Sequence, residues 1–288
     1  MSPGWRLADR TLELKSPIAA GIVNVTSDSM YEGARSVTPE AAVADGLALA
    51  TAGFEMLDVG AVAARSGPPV LAGEEVGRLV PAVAGLAAET EVPISADTFS
   101  AEVAERTLEA GAAAVNDISG AADPALFELA AETGCGFVLM HVEGPPREKR
   151  HPRPYDDPVD HLKAWFDERI QAALARGVAA EQIAIDPGLD FDLDVAADLA
   201  ILRRLDELRE LGRPLYVSLS RKDFLGAVLA GSWEGRLPAA EREWATAAAT
   251  ALAVKAGADI LRLHDASALQ SMRIAAAIAG RPVKVAGG

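Results

Sequence analysis

The sequence predicts one α/β domain spanning residues 1–288, a single (β/α)8 barrel of the TIM type. Three observations point there. Short β-branched or apolar runs alternate with longer Ala-rich stretches of helical spacing. Eight such runs occur along the chain, and polar side chains stand at the C-terminal end of nearly all of them. A doubly wound sheet would also alternate strand and helix, but the count and the polar rim favour the closed barrel. Length divided by about 150 residues would give two domains, yet α/β barrels run to ~250 residues as one. No linker, low-complexity tract or composition shift divides the chain.

In order, the expected strands are Ala19–Val25, Met56–Val59, Ile94–Asp97, Ala113–Ile118, Gly136–Met140, Gln182–Asp186, Leu215–Ser218 and Ile260–Leu263. Their near-continuous apolar character suits strands buried on both faces. Thr38-Pro39-Glu40 supplies an N-cap and a first-turn Pro, and Gly53 ends that helix. Ser100 caps the helix that stops at Gly111, and Gly134, Gly177 and Gly257 follow other helical stretches where a left-handed residue is wanted. Residues 143–157, after the fifth strand, read as the most loop-like insertion, with the basic run Arg147–Arg153 expected to be solvated. His151 and His161, in that loop and the helix after it, are expected to be solvated too, and Trp165 and Trp244 to lie in the core.

Composition excludes several classes. Forty-two acidic against 27 basic residues leave a formal charge of −15, with no basic surplus for displacing counterions from nucleic acid or for binding an anionic membrane. No stretch reaches the ~18 apolar residues of a membrane span, and the N-terminal MSPGWRLADRTLELK lacks a signal-peptide apolar run. The one cysteine, Cys135, cannot form an intrachain disulfide, and a cytoplasmic protein is expected.

The strand ends carry Asn24, Asp58, Asp97, Asn116 with Asp117, His141, Asp186, Arg221 with Lys222, and Arg262 with His264. Taken singly, each is an ordinary helix or turn cap. Together, in a barrel, they converge on one mouth. Asp97, Asn116 and Asp186 offer acceptors for the N–H-rich edge of a flat heterocycle. Lys222, Arg262, His264 and Arg65 offer cationic donors for a phosphate or pyrophosphate. Asn24 opens a loop of oxygen-bearing side chains, NVTSDSMYEGA, that could meet Mg²⁺ bound to phosphates. No P-loop, dinucleotide fingerprint, nucleophile elbow or metal-spaced Cys/His motif occurs.

At these residues the sequence resembles the dihydropteroate synthase family. The stretches are GIVNVTSDS (21–29), LDVG (57–60), ADT (96–98), VNDISG (115–120), LMHVEG (139–144), IDPG (185–188), SLSRKDFLG (218–226) and LRLHD (261–265), in the family's order. The resemblance implies that p-aminobenzoate displaces pyrophosphate from 6-hydroxymethyl-7,8-dihydropterin pyrophosphate with the help of Mg²⁺, in folate biosynthesis. It also implies a homodimer. Carried over, Asp97, Asn116, Asp186 and Lys222 hold the pterin, with Met140 against its ring, and Asp58 and Phe191 join the substrate site. Asn24, as metal ligand, and Arg65, Arg262 and His264 hold pyrophosphate and metal. Asp97, Lys222, Arg262 and His264 are the expected catalytic set.

The chain departs from the family pattern in three loops. Ser27, Met30 and Glu32 replace Pro, Phe and Asp in the first. In the second, Val62, Ala63, Ala64 and Ser66 replace Glu, Ser, Thr and Pro. After the sixth strand DPGLDFDLD brings in Asp190, Asp192 and Asp194. These changes remove hydroxyls and an aromatic wall from the region expected to shape the amine site. They motivate two alternatives, a pteridine-binding paralogue without synthase activity and an enzyme with another acceptor. A related methyltetrahydrofolate-dependent methyltransferase fits less well, because the SRK and RLHD segments are retained.

Overall fold

The computed structural model describes residues 4–25, 36, 38–63, 70–144, 146–147 and 154–283. A short antiparallel hairpin, β1 (Gly4–Leu7) and β2 (Arg10–Glu13), precedes eight parallel strands. These are β3 (Ile18–Asn24), β4 (Met56–Gly60), β5 (Ile94–Asp97), β6 (Ala114–Asp117), β7 (Gly136–Met140), β8 (Ile183–Asp186), β9 (Tyr216–Ser218) and β10 (Ile260–Leu263). They pair in the order β8-β7-β6-β5-β4-β3-β10-β9. A parallel bridge between Ile185 and Leu215, with the Ile185 N–H donating to the Pro214 carbonyl at 2.9 Å, joins the two ends and closes the barrel.

Helices follow the strands as right-handed crossovers require. They are α1 (Pro39–Ala52), α2 (Ala72–Glu89), α3 (Ala101–Glu109), α4 (Ala125–Thr133), α5 (Pro158–Ala175) and α6 (Val195–Arg203) after β3 to β8. Then α7 (Asp223–Ala230) and α8 (Glu243–Lys255) follow β9, and α9 (Ala266–Ile278) follows β10. The caps read from the sequence are present: the Thr38 hydroxyl accepts the Ala41 N–H, Ser100 accepts that of Val103, and Gly53 closes α1 in the left-handed region. Trp244 departs from expectation. It lies on the outer face of α8 and is 84% exposed, because the side bearing Thr246, Ala249, Thr250, Ala253 and Val254 is the one that packs inward.

Strand periodicity places the site. Met56, Ala114, Val138, Ala184 and Ile260 belong to one buried cluster in the lower half of the barrel. Successive inward positions on a strand are two apart, so the next layer toward the C-terminal ends is Asp58, Asn116, Met140, Asp186 and Arg262. The same alternation takes Ser95 to Asp97 on β5. Five strands thus carry an apolar residue for the core and, two residues on, a side chain for the mouth.

The hairpin closes the opposite end. Trp5, Leu7 and Leu14 are buried in the same cluster, and the Trp5 indole N–H donates to the Gln182 carbonyl at 2.7 Å. Gly136 admits this plug: a Cβ there would sit 2.3 Å from a Leu7 methyl and 3.0 Å from the Trp5 ring. Among the described residues no helix is long and apolar enough to cross a membrane. Trp5→Ala removes a large buried ring and one buried hydrogen bond, so it should cost about 3–5 kcal/mol of stability in urea unfolding. A loss below about 1 kcal/mol would contradict the plugging role.

Candidate active site at the barrel mouth

One ion network organises the mouth. The Arg262 guanidinium donates from Nε to Asp58 Oδ2 at 2.5 Å and from Nη2 to Asp97 Oδ2 at 2.6 Å, joining β10 to β4 and β5. Asn116 Nδ2 donates to the same Asp58 oxygen at 3.1 Å, which adds β6. Burial works against the Arg262 charge, but the two carboxylates outweigh it and raise its pKa. Asp58 is fully buried, and its Oδ1 has no hydrogen-bond partner among the described residues.

Two carboxyls stay protonated to unusually high pH. Burial pushes Asp97 up to about 7 against the pull of Arg262, with Asp58 and Glu75 adding repulsion. Burial likewise pushes Asp186 up to about 6, although its Oδ1 accepts the Gly188 N–H at 2.8 Å and Lys222 and Arg262 favour its charge. Gly188 makes the turn after β8 possible: its φ is +68°, and a Cβ would lie 2.0 Å from the His141 carbonyl oxygen. That carbonyl belongs to the chain leaving β7, so this glycine sets how closely β7 and β8 approach.

Lys222, buried ahead of α7, holds its Nζ 4.5 Å from the centre of the Phe191 ring. Met140 packs with Ile118 and Val142, and Phe99 and Phe191 lean on them, forming an apolar wall beside the carboxylates. The sequence reading missed Ile118, Val142 and Phe99. Ile118 and Val142 directly follow polar strand-end residues and Phe99 lies two beyond Asp97, and that proximity was the available signal. It also missed Glu75, buried in the first turn of α2, whose pKa burial raises.

His264 corrects an expectation. Burial, with Arg262 and Arg221 nearby, lowers its pKa to about 3, so it is a neutral imidazole with Nδ1 2.8 Å from the Ser220 hydroxyl. It can donate or accept a hydrogen bond, but it brings no charge. Arg262 is present at the mouth, with its charge already matched by Asp58 and Asp97. Arg221 turns to Asp265 at 2.9 Å and to the Ala239 carbonyl, a bracing role between loops. Asp117 accepts from the Ser119 hydroxyl and the backbone N–H groups of Ser119 and Ala121, which makes it a turn residue.

The three aspartates after β8 have structural work. Asp190 accepts the N–H groups of Asp223 and Phe224 at the start of α7. Asp192 accepts the Glu143 N–H at 3.2 Å, and Asp194 caps α6 through the Ala197 N–H at 2.7 Å. Asn24 ends β3, its carbonyl accepting the Ser36 N–H at 2.8 Å, with its side chain at the strand end where an amide oxygen could meet a hard cation. Arg65, Ser27, Met30, Glu32, Ala64 and Ser66 lie outside the described residues, as do 148–153; Arg147 donates to the Ala63 carbonyl at 2.6 Å.

A barrel whose mouth sets buried carboxylates and an amide against an apolar wall defines a binder of flat, N–H-rich heterocycles. The chain belongs to the pterin-binding enzyme family, which it matches over residues 20–264. It is 40% identical over 255 residues to the dihydropteroate synthase of Mycobacterium leprae, covering 86% of this chain and 88% of that one. It is 37% identical over 265 residues to the inactive dihydropteroate synthase 2 of the same organism, covering 90% and 89%. Among solved structures, the dihydropteroate synthase of Xanthomonas albilineans in complex with 7,8-dihydropteroate superposes with a TM-score of 0.80 at 35% identity, covering 96% of this chain and 99% of that one.

The Asp97 shift fixes the sign of a stability effect. A carboxyl whose folded pKa of about 7 exceeds its unfolded value, about 3.9, adds stability at low pH that is lost as pH rises through about 7. The unfolding free energy of the wild type minus that of Asp97→Asn should therefore shrink between about pH 4 and about pH 8. Urea titrations across that range check it, and a difference that grows with pH would contradict it.

Proposed function

We propose that this chain is a dihydropteroate synthase, joining 6-hydroxymethyl-7,8-dihydropterin pyrophosphate to p-aminobenzoate with release of pyrophosphate. The observation that carries the reading is the convergence of Asp58, Asp97, Asn116 and Asp186 around Arg262, beside the wall built on Met140. Family membership alone would not suffice, since one relative is named as inactive. Here Asp97, Asn116 and Asp186 are all present at the mouth, and the Asp58 oxygen that lacks a partner among the described residues is one a ligand N–H could satisfy.

In this reading Asp97, Asn116 and Asp186 accept from and donate to the edge of the pterin, and Met140 and Phe191 cover its faces. Lys222 reaches the pterin from the side of Phe191. The amine nitrogen forms its bond to the exocyclic methylene as the bond from that carbon to the pyrophosphate oxygen breaks, and the amine then loses a proton. No side-chain nucleophile is required. Arg262 and neutral His264 donate hydrogen bonds toward the leaving group, and Arg65 is assigned there by its position in the sequence. Asn24 would contribute an oxygen to Mg²⁺, which when bound neutralises charge on the pyrophosphate. The donor type fits, because this cation takes one or two protein oxygens and completes its shell with phosphate and water.

We also propose a homodimer. Trp244 and Leu252 on α8, and Ile274 and Ile278 on the adjoining α9, are exposed apolar side chains that a second copy would cover. Light scattering should give twice the 29.9 kDa of one chain, and the monomer mass for Trp244→Glu. A wild-type monomer would refute the pairing. The free, buried Cys135 accords with a reducing cytoplasm, which fractionation of the host would check.

The decisive assay supplies purified protein with Mg²⁺, the pterin pyrophosphate and p-aminobenzoate, then measures pyrophosphate and dihydropteroate. Formation of both supports the assignment, and formation of neither sinks it. Pterin binding without turnover would instead identify a non-catalytic paralogue. Lys222→Ala removes a charge-assisted contact worth about 1.5–3 kcal/mol. Calorimetry should therefore show pterin affinity falling roughly tenfold to a hundredfold; unchanged affinity would refute the role of Lys222.

A further inference from the structure

Beside the mouth, on the side facing α5, three ligand-type side chains meet that the synthase reading does not use. His141 follows Met140 directly at the end of β7, Glu143 lies two residues on, and His161 stands on the first turns of α5. One ligand atom from each lies within 4.8 Å of the other two. His161 Nε2 is 2.7 Å from Glu143 Oε1, and His141 Nε2 is 3.7 Å from that same oxygen. The sequence pattern hid this group, because His161 is far along the chain and reads as a solvated helix residue.

The second observation is His141 itself. Its side chain is fully buried, and among the described residues neither ring nitrogen has a partner within hydrogen-bonding distance. Buried imidazoles ordinarily satisfy at least one nitrogen, and an orphaned polar atom at full burial asks for an occupant. The rings are also framed. Trp165 stands edge-on to His141 at 5.0 Å between centroids, and Tyr155 lies 4.7 Å from His161. Asp192 fixes the chain at Glu143 by accepting its N–H at 3.2 Å. These contacts limit how far the two rings can turn.

We propose that His141, Glu143 and His161 form a site for a transition-metal dication of the Zn²⁺ type, tying the chain leaving β7 to α5. Two imidazoles and a carboxylate are a zinc-type donor set, unlike the all-oxygen sets that suit Mg²⁺. Zinc bonds of about 2.0–2.2 Å put tetrahedral ligands about 3.4 Å apart. The observed 2.7 and 3.7 Å bracket that value, and all three ligand atoms lie within 4.8 Å of one another, so a modest inward turn of the two rings converts the cluster into a site. A fourth position is left for water. Because the His141 backbone N–H donates to the Asp186 carbonyl at 2.8 Å, the bound ion would steady the floor of the pocket from outside it.

Untagged full-length protein, stripped of metal and held in excess Mg²⁺ to occupy oxygen sites, is titrated with Zn²⁺ in competition with a chromophoric chelator. About one Zn²⁺ per chain should bind, raising the Tm by several degrees. Co²⁺ should give the visible absorption of a tetrahedral site. Loss of even an outer-shell partner typically weakens metal binding 10–100-fold, so His161→Ala and Glu143→Gln should each weaken it by about a hundredfold and abolish the Tm rise. His161 is partly exposed on α5, so its variant tests the site even if His141→Ala does not fold. Zinc binding no tighter than that of His161→Ala, or changed by less than about tenfold in both variants, would overturn the proposal.

Discussion

The active-site half of the barrel depends on one largely buried guanidinium. Arg262 reaches Asp58 across 204 residues of sequence and Asp97 across 165, so a single side chain ties three strands and partly neutralises two carboxylates that water hardly reaches. A buried pair or triad of this kind is weak evidence for net stability, since hydrophobic replacements of similar volume are often neutral or better. Its value here is positional. It holds acceptor oxygens in fixed places on a rigid sheet, which a site for a flat heterocycle needs and flexible loops cannot supply.

The incomplete neutralisation matters as much. Arg262 and Lys222 do not overcome the burial of Asp97 and Asp186, so both carboxyls change charge close to neutral pH rather than well below it. Groups poised in this way cluster at functional sites because burial and neighbouring charge are arranged for binding rather than for folding. The charge of −15 on the whole chain would repel a pyrophosphate at long range. Attraction has to arise locally, where apolar walls let a few cations act over short distances.

Much of this was legible in the sequence, for physical reasons that differ by element. The eight barrel strands stood out because each is buried on both faces and reads as an apolar run. Asp58, Asn116, Asp186 and Arg262 were found because polar side chains near the C-terminal ends of apolar strands line a barrel's mouth, whereas Met140, an apolar residue in an apolar strand, was placed only by the family resemblance. The β1–β2 hairpin was not found. Its Trp5 and Leu7 alternate with polar residues over only four positions, and their burial comes from contact with β7 and β8 far along the chain. The state of His264 was misjudged because charge depends on burial and on Arg262 and Arg221, which spacing does not reveal. Asp190, Asp192 and Asp194 looked like changes to the site, yet they cap helices and hold a loop. Divergence after β8 is therefore compatible with an intact pocket.

The central claim is that the fold keeps a mouth carboxyl protonated to near neutral pH despite an arginine beside it. Carbon-13 NMR of the aspartate carboxyl groups, titrated across the acid and neutral range, tests it directly, with Asp97→Asn to assign the signal. The expected result is one resonance titrating near pH 7, at about the value given for Asp97 and absent from the variant. If every aspartate instead completes its titration below about pH 5, near the ordinary range for that side chain, burial does not dominate at the mouth and the account fails.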